Sequence, residues 1–362
     1  MGMPLCRLRY RGIITLFSLM TIYIYYCVIQ LAIDVYDEDK FYQVRKNNVR
    51  NLRTPSVAFN QSKVHNSTND GNLTTVENIA HQVINCTQCE HKQEFSCRNV
   101  SDIRIFSSLG HGTTKEVFRG KYDGREMAVK MVTSKVLDVK KCLERKMFWK
   151  REECYLLANY KILKEILFVR QLQHPNILQS IGYCVRNEIT SGRVVDHGVI
   201  SVTELGKTFN LNKYSRLPWE QKMKTTIELL DLLDYFAHSP IGSLIMTDIK
   251  TSQFLVVGDK VKLGDMDDVS SEEKKCETSK DCYLDNRNYG IQCVGNICRG
   301  INSKFNLHYF NKKIFSLILK TAPSKSLTDE TTSALNRIKH PNSTAVQIKQ
   351  SLQRILLKAT NP

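Results

Sequence analysis

No segment of this 362-residue chain recurs at a fixed period, which sets aside solenoids, propellers and other repeat architectures. Acidic residues are scarce beside basic ones, 36 Asp+Glu against 52 Lys+Arg, for a net charge of +16. Such a surface suits nucleic acid, anionic lipid or acidic polypeptides. No nucleic-acid-binding module accompanies it, so no nucleic-acid partner is expected and the charge reads as surface with a tilt towards acidic partners. Cys86-x-x-Cys89 has no second CxxC and no His pair at finger spacing behind it, which argues against zinc there. A redox pair or a disulfide is the remaining reading.

Several features place the chain in a compartment. Gly12 to Ile33 is 22 residues without a charge. At about 1.5 Å per residue such a helix crosses a hydrocarbon core of about 30 Å. Arg7, Arg9 and Arg11 precede it and Asp34, Asp37, Glu38 and Asp39 follow. The positive-inside rule then puts residues 1–11 in the cytosol and the rest in the lumen, with 12–33 as a signal anchor. A cleaved signal peptide is the alternative, although Gln30-Leu31-Ala32 suits peptidase poorly. Six glycosylation sequons, at Asn60, Asn66, Asn72, Asn85, Asn99 and Asn342, agree with a lumenal location. So do the cysteines. Of 12, Cys6 and Cys27 lie in or beside the apolar run, and the other ten suggest five disulfides.

Residues 34–85 are polar and without periodicity, which predicts a glycosylated stem. From there the pattern predicts two lobes, 86–206 and 207–362. Ile103–Phe106, Glu116–Arg119 and Arg125–Val132 alternate as strands. Leu156, Tyr160, Leu163 and Leu167 recur at helical spacing until His174-Pro175-Asn176 stops them. Strands over Ile177–Ile181 and Val199–Glu204 and a long amphipathic helix over Trp219–His238 follow. The expected fold is α+β, a small β-rich lobe followed by a shortened helical lobe.

The residues able to do chemistry fall in a telling order. Gly110-His111-Gly112 lies between the first two strands, ahead of Lys115 and Val117. Glycines there would let the backbone approach phosphate oxygens. Lys130 ends Met127-Ala128-Val129-Lys130, and a strand lysine in apolar company needs an anion. Glu165 is the preferred helix partner, with Glu144, Glu152 and Glu153 nearby in sequence. Removing Lys130 is then expected to leave Glu165 unpaired. Thr203-Glu204-Leu205-Gly206 ends the fifth strand. Asp248 and Lys250 precede a short strand, Gln253 opens it, and a Gly258-Asp259 turn leads to Asp265. This order resembles that of a protein kinase: phosphate loop, anchoring Lys–Glu pair, hinge, catalytic loop and metal-binding Asp. It implies ATP, Mg²⁺ or Mn²⁺ at Asp265 and Gln253, proton handling at Asp248, and γ-phosphate neutralisation by Lys250.

Departures are plain. Lys115 replaces the third glycine of the phosphate loop, so it either adds charge near the phosphates or points outward. Restoring glycine there is expected to be mild. Met246 and Thr247 replace the usual His-Arg before the catalytic Asp, and Met266-Asp267 replaces Phe-Gly after the metal Asp. Loss of that Gly argues against a flipping switch and for a permanently set site. The A-P-E segment is missing. In its place stand Cys276, Cys282, Cys293 and Cys298, expected to pair among themselves and staple residues 276–298.

A closer resemblance is carried by Gly110–Lys115, Cys154-Tyr155, Leu163-Lys164-Glu165, His174–Gln179, Gly182-Tyr183-Cys184, Thr203–Gly206, Ala237–Ser243, Gln253-Phe254, Asp265–Asp268 and the Cys276–Cys298 cluster. From about Cys97 to about Leu319 the chain is similar to the vertebrate lonesome kinases, a family of secreted tyrosine kinases. That resemblance implies transfer of phosphate from ATP to tyrosines of secreted and extracellular-matrix proteins. It carries over to Lys130, Glu165, Asp248, Gln253 and Asp265. A lumenal Ser/Thr or sugar kinase, and a pseudokinase acting as a binding module, are the alternatives.

Overall fold

The computed structural model describes residues 94–146, 151–185 and 198–360. All of them belong to one compact unit, Val76–Pro362. The expected membrane segment, the stem and Cys86-x-x-Cys89 lie outside the described residues. Among the described residues, no helix is long and apolar enough to cross a membrane.

A short helix α1 (Cys97–Ser101) leads into an antiparallel meander of β1 (Arg104–His111), β2 (Glu116–Tyr122) and β3 (Arg125–Met131). The β2–β3 hairpin closes through Asp123-Gly124, both at positive φ (46° and 75°), the geometry that suits the right-handed twist of paired strands. Helices α2 (Leu137–Glu144) and α3 (Arg151–Gln171) follow, then β4 (Ser180–Val185) and β5 (Val199–Glu204). The sheet order is β1-β2-β3-β5-β4. Period-two alternation separates its faces. Met127, Val129 and Val202 pack under Phe95 and Ile103 on one side, while Tyr183 and Val199 join Ile162, Leu163 and Ile166 of α3 on the other. Two disulfides fasten this lobe, Cys97–Cys184 and Cys142–Cys154, the second joining α2 to α3.

The second lobe contains β6 (Lys207–Thr208), α4 (Leu211–Tyr214), α5 (Trp219–Ala237), β7 (Ile245–Met246), β8 (Phe254–Val257), β9 (Lys260–Leu263), β10 (Val269–Ser270), β11 (Cys293–Val294), β12 (Ile297–Cys298) and α6 (Ile301–Phe310). A π turn (Asn311–Phe315) extends α6, and α7 (Lys325–Asn336) and α8 (Ala345–Thr360) complete it. Helix α5 is its centre, with Met223, Leu229, Leu230, Leu232 and Phe236 fully buried. Ile348, Leu352 and Ile355 of α8, at spacings of four and three, join the same core. The architecture is α+β and two-lobed, as the sequence indicates.

Three local expectations are corrected. The fourth strand starts at Ser180, not Ile177. Ile177 instead forms a parallel bridge to Leu263, because Leu263 N–H donates to the Asn176 carbonyl (2.7 Å) and Leu178 N–H to the Leu263 carbonyl (2.9 Å). The main helix starts at Arg151, more than a turn ahead of Leu156, where the helical spacing begins. A helix, α2, stands before it where none was expected.

The four late cysteines pair among themselves as Cys276–Cys293 and Cys282–Cys298. Asp285, inside the stapled segment, accepts from His308 Nε2 (3.1 Å), Tyr309 Oη (2.7 Å) and Lys312 Nζ (2.6 Å), so the segment is anchored on α6 and its extension. One sequon residue is already engaged: Asn99 Oδ1 accepts from Ser96 N–H, and its Nδ2 donates to Tyr122 Oη (3.2 Å). Asn342 is exposed.

Candidate active site

Strand β3 delivers Lys130 to the side facing α3. Its Nζ donates to Glu165 Oε1 and to the Gly264 carbonyl (2.6 Å). Both ions are buried, Lys130 4% and Glu165 2% exposed. A buried carboxylate is tolerated only when paired and hydrogen-bonded, so this geometry selects Glu165 among the nearby acids. Val117 sits opposite Lys130 in the β2–β3 register.

The loop before β2 is a tight turn in which Gly112 N–H donates to the Lys115 carbonyl (2.8 Å). A Cβ at Gly110 would meet nothing within 4 Å, so no packing demands the glycine. Bare backbone there leaves room for a ligand's oxygens. Lys115 points inward. Its ammonium donates to Glu165 Oε2 and to Asp265 Oδ1 (2.8 Å) and lies 3.8 Å from Asp267 Oδ2. Burial opposes its charge, but Asp265, then Glu165 and Asp267, outweigh that and hold it well above the ordinary lysine range. Glu165 is therefore shared by two ammonium groups. The expectation that loss of Lys130 leaves it unpaired does not hold, and neither does the expectation that glycine at Lys115 would be mild, since it removes the partner of two carboxylates.

The loop that carries Asp248 hangs from the helical core. Met246 is buried, and its N–H donates to Asn306 Oδ1 (2.9 Å). Thr247 Oγ1 donates to the Asp268 carbonyl (3.0 Å), and β7 pairs with β10 through Met246 and Val269. The residues replacing His-Arg thus shape the loop by packing and hydrogen bonding. Next to them Asp248 accepts from Lys250 Nζ, both side chains more than a third exposed. That hydrogen bond, ahead of an opposing burial effect, raises the Lys250 pKa.

The β8–β9 hairpin, turning at Gly258 (φ 63°), brings Gln253 and Asp265 together, with Gly264 N–H on the Gln253 carbonyl (2.8 Å). Met266 is buried in the helical core. Asp265 Oδ1 accepts from Lys115 and from Asp267 N–H (3.2 Å), and its Oδ2 has no hydrogen-bond partner among the described residues. Burial works against its charge, but Lys115 and Lys130 prevail and keep the carboxyl well below the usual range. Gln253 is buried, and its Oε1 has no partner. An orphaned buried carbonyl oxygen, on a residue whose backbone pairs with the one before Asp265, and that ionised carboxylate are the kinds of oxygen donor that suit a hard divalent cation. These residues fit a divalent metal ion.

At the other side Thr203 is buried opposite Ala128, with an unpartnered Oγ1. Glu204 N–H already donates to the Gln179 carbonyl (3.1 Å), and its carboxylate takes Lys262 Nζ (2.6 Å) and Gln179 N–H (2.8 Å). Leu205 is half-buried and follows directly. Gly206 is required by room: a Cβ would meet Leu255 Cβ at 2.8 Å.

Sequence reasoning missed two groups. Asp267 adds a third carboxylate around Lys115; burial pushes it up to about 7, against Lys115 and with the charge of Asp265. The run of acids in Asp265-Met266-Asp267-Asp268 was the available signal. Asp138 on α2 was unsignalled. It accepts from Lys161 Nζ (2.6 Å) and Thr114 Oγ1 (3.2 Å), and so fastens the loop before β2 to α3.

A five-stranded antiparallel sheet followed by a helical lobe, with an internal Lys–Glu pair linked through Lys115 to a hairpin-delivered Asp, defines a protein-kinase-like domain. Residues 156–341 match the family model described as the protein-kinase domain of FAM69, and the chain belongs to that family. It is 33% identical over 234 residues to human extracellular tyrosine-protein kinase PKDCC, covering 64% of this chain and 46% of that protein. It is 24% identical over 171 residues to protein O-mannose kinase of Xenopus laevis, covering 45% of this chain and 42% of that one. A mimivirus protein described as a putative serine/threonine-protein kinase/receptor is 27% identical over 163 residues, covering 44% of this chain and 8% of its own length. The chain spans less than half the length of each.

Proposed function

We propose that the chain is an ATP-dependent tyrosine kinase of the secretory pathway acting on secreted and extracellular-matrix proteins. This reading is supported by the surroundings of Asp265: Lys130, paired with Glu165, and Lys250, paired with Asp248, both lie near enough to interact with its charge, and the β8–β9 hairpin pairs Gln253 with the residue before it. Lys130, fixed by Glu165, binds the α- and β-phosphates. The bare backbone of Gly110 and Gly112 covers them, and the Thr203–Leu205 segment receives the base. Asp248 orients the acceptor hydroxyl and takes its proton; Lys250, already hydrogen-bonded to Asp248, stands ready to neutralise the transferring group. A divalent metal at Asp265 and Gln253 would neutralise charge on the β- and γ-phosphates. Tyrosine as acceptor draws support from the similarity to the human extracellular enzyme. A sugar hydroxyl draws on the O-mannose kinase.

The four disulfides among the described residues support an oxidising compartment. In this reading residues 1–11 are a cytosolic tail, 12–33 the anchor and 34–85 the stem. Endoglycosidase treatment of cell-expressed protein should increase its gel mobility; an unchanged band removes the lumenal assignment.

The test of activity is the full-length protein with labelled ATP, Mg²⁺ or Mn²⁺ and a mixed secretome, followed by phosphoamino-acid analysis. Phosphotyrosine is the expected product. Label confined to Ser/Thr or to glycans replaces the acceptor class. No ADP release with any nucleotide or metal turns the reading into a binding module.

A further inference from the structure

We propose that Lys115 is a positioning residue that holds Glu165 and Asp265 in one fixed arrangement, so that the site is set without any modification of the segment after Asp265. The proposal rests on the roles given above to those two carboxylates. One ammonium joins three parts of the chain that are far apart in sequence: the loop before β2, helix α3 through Glu165, and the segment after β9 through Asp265 and Asp267. An ammonium has three donors and no acceptor. Here those donors face only carboxylates.

The side chain is also rigidly delivered. Gly112 N–H closes the turn on the Lys115 carbonyl (2.8 Å). Asp138 N–H donates to the Thr113 carbonyl (2.8 Å), and the Asp138 carboxylate takes Thr114 Oγ1 and Lys161 Nζ. Lys161 is four residues, about one helical turn, before Glu165 on α3. The disulfide Cys142–Cys154 ties the helix of Asp138 to α3. Loop and helix therefore move together, and Lys115 extends that unit to Asp265. It uses Asp265 Oδ1 and leaves Oδ2 open, so holding the carboxylate and leaving an oxygen for a metal are compatible. A flexible activation loop has no place in this scheme. The segment after Asp265 is stapled by two disulfides and seated on α6.

A buried ion pair that only stabilises the fold would change stability on removal and nothing else. The test is therefore made on nucleotide binding and local opening. Full-length Lys115→Met and Lys115→Gly are compared with wild type by Mn²⁺-dependent binding of a fluorescent ADP and by amide hydrogen exchange. The Mn²⁺ concentration for half-saturation should rise roughly tenfold or more, the scale of one charge-assisted hydrogen bond. Amides of residues 162–168 and 265–268 should exchange faster together, while those of α5 and α8 keep wild-type rates. Unchanged Mn²⁺ dependence with unchanged exchange overturns the proposal, and so does faster exchange spread evenly over both lobes. If Lys115→Met does not fold, Lys115→Met with Asp267→Asn removes a facing charge and is read in the same way. A wild-type chain that binds no nucleotide removes the phosphotransfer reading alone; the exchange pattern then decides the role of Lys115.

Discussion

Glu165 offers a sharp thermodynamic test, because two ammonium groups hold one buried carboxylate. Lys130 takes Oε1 and Lys115 takes Oε2, and all three side chains are 7% exposed or less. In Lys130→Met one charge-assisted bond is lost but the charge keeps a partner, which costs about 1.5–3 kcal/mol. Had Glu165 relied on Lys130 alone, the cost would be that of breaking a buried pair, about 3–5 kcal/mol. The double variant Lys130→Met/Lys115→Met strands the carboxylate. It should lose more than the two single losses together, with a coupling of about 1 kcal/mol or more. Glu165→Gln should remove most of that coupling, since no charge remains to strand. Urea unfolding with the disulfides kept oxidised measures the wild type, both single variants and the double variant, each with and without Glu165→Gln. Additivity within about 0.5 kcal/mol would refute the sharing of Glu165.

Asp265→Ala should abolish ADP release and phosphotyrosine formation in a protein that still folds, with its melting point lowered by loss of the Lys115 bond. Gln253→Asn should retain activity, because only an amide oxygen is needed; wild-type activity in Asp265→Ala refutes the assignment. Replacing Cys276 and Cys293 together opens a bridge of sequence separation 17 and should lower stability by about 3 kcal/mol in loop-closure terms. Peptide mapping without reduction should recover Cys276 with Cys293 and Cys282 with Cys298. Asn306→Leu should strand the Met246 N–H and the Leu244 carbonyl that the amide bridges at 2.9 and 2.8 Å. Each buried group left unpaired costs about 1–3 kcal/mol. Urea titration measures that loss, and the loop that carries Asp248 should exchange its amides faster.

Much of this protein was legible without coordinates, because its signals are local. Strand alternation fixed β1 to β3 and β5, helical spacing fixed α3 and α5, and Gly258 marked the hairpin that delivers Asp265. Spacing to those elements marks Lys130, Glu165, Asp248 and Gln253 as candidates. Cysteine crowding within 276–298 restricted pairing to short loops, which is why the late disulfides could be expected to stay within the cluster. What local pattern does not encode is the direction of a long side chain or the company it keeps. Lys115 reads equally well as a surface lysine or a phosphate ligand; only the approach of α3 and the β9 end turns it into the hub of three carboxylates. Asp138 sits on a short helix with no motif, and its bond to Lys161 exists because the lobe folds α2 against α3. Ile177 looks like strand, yet its neighbours' hydrogen bonds are claimed by Leu263, more than eighty residues on. Sequence determines which groups are present and on which element they ride. Packing of non-local elements determines which charges share a buried site, and charge compensation in a low-dielectric interior makes that choice binding.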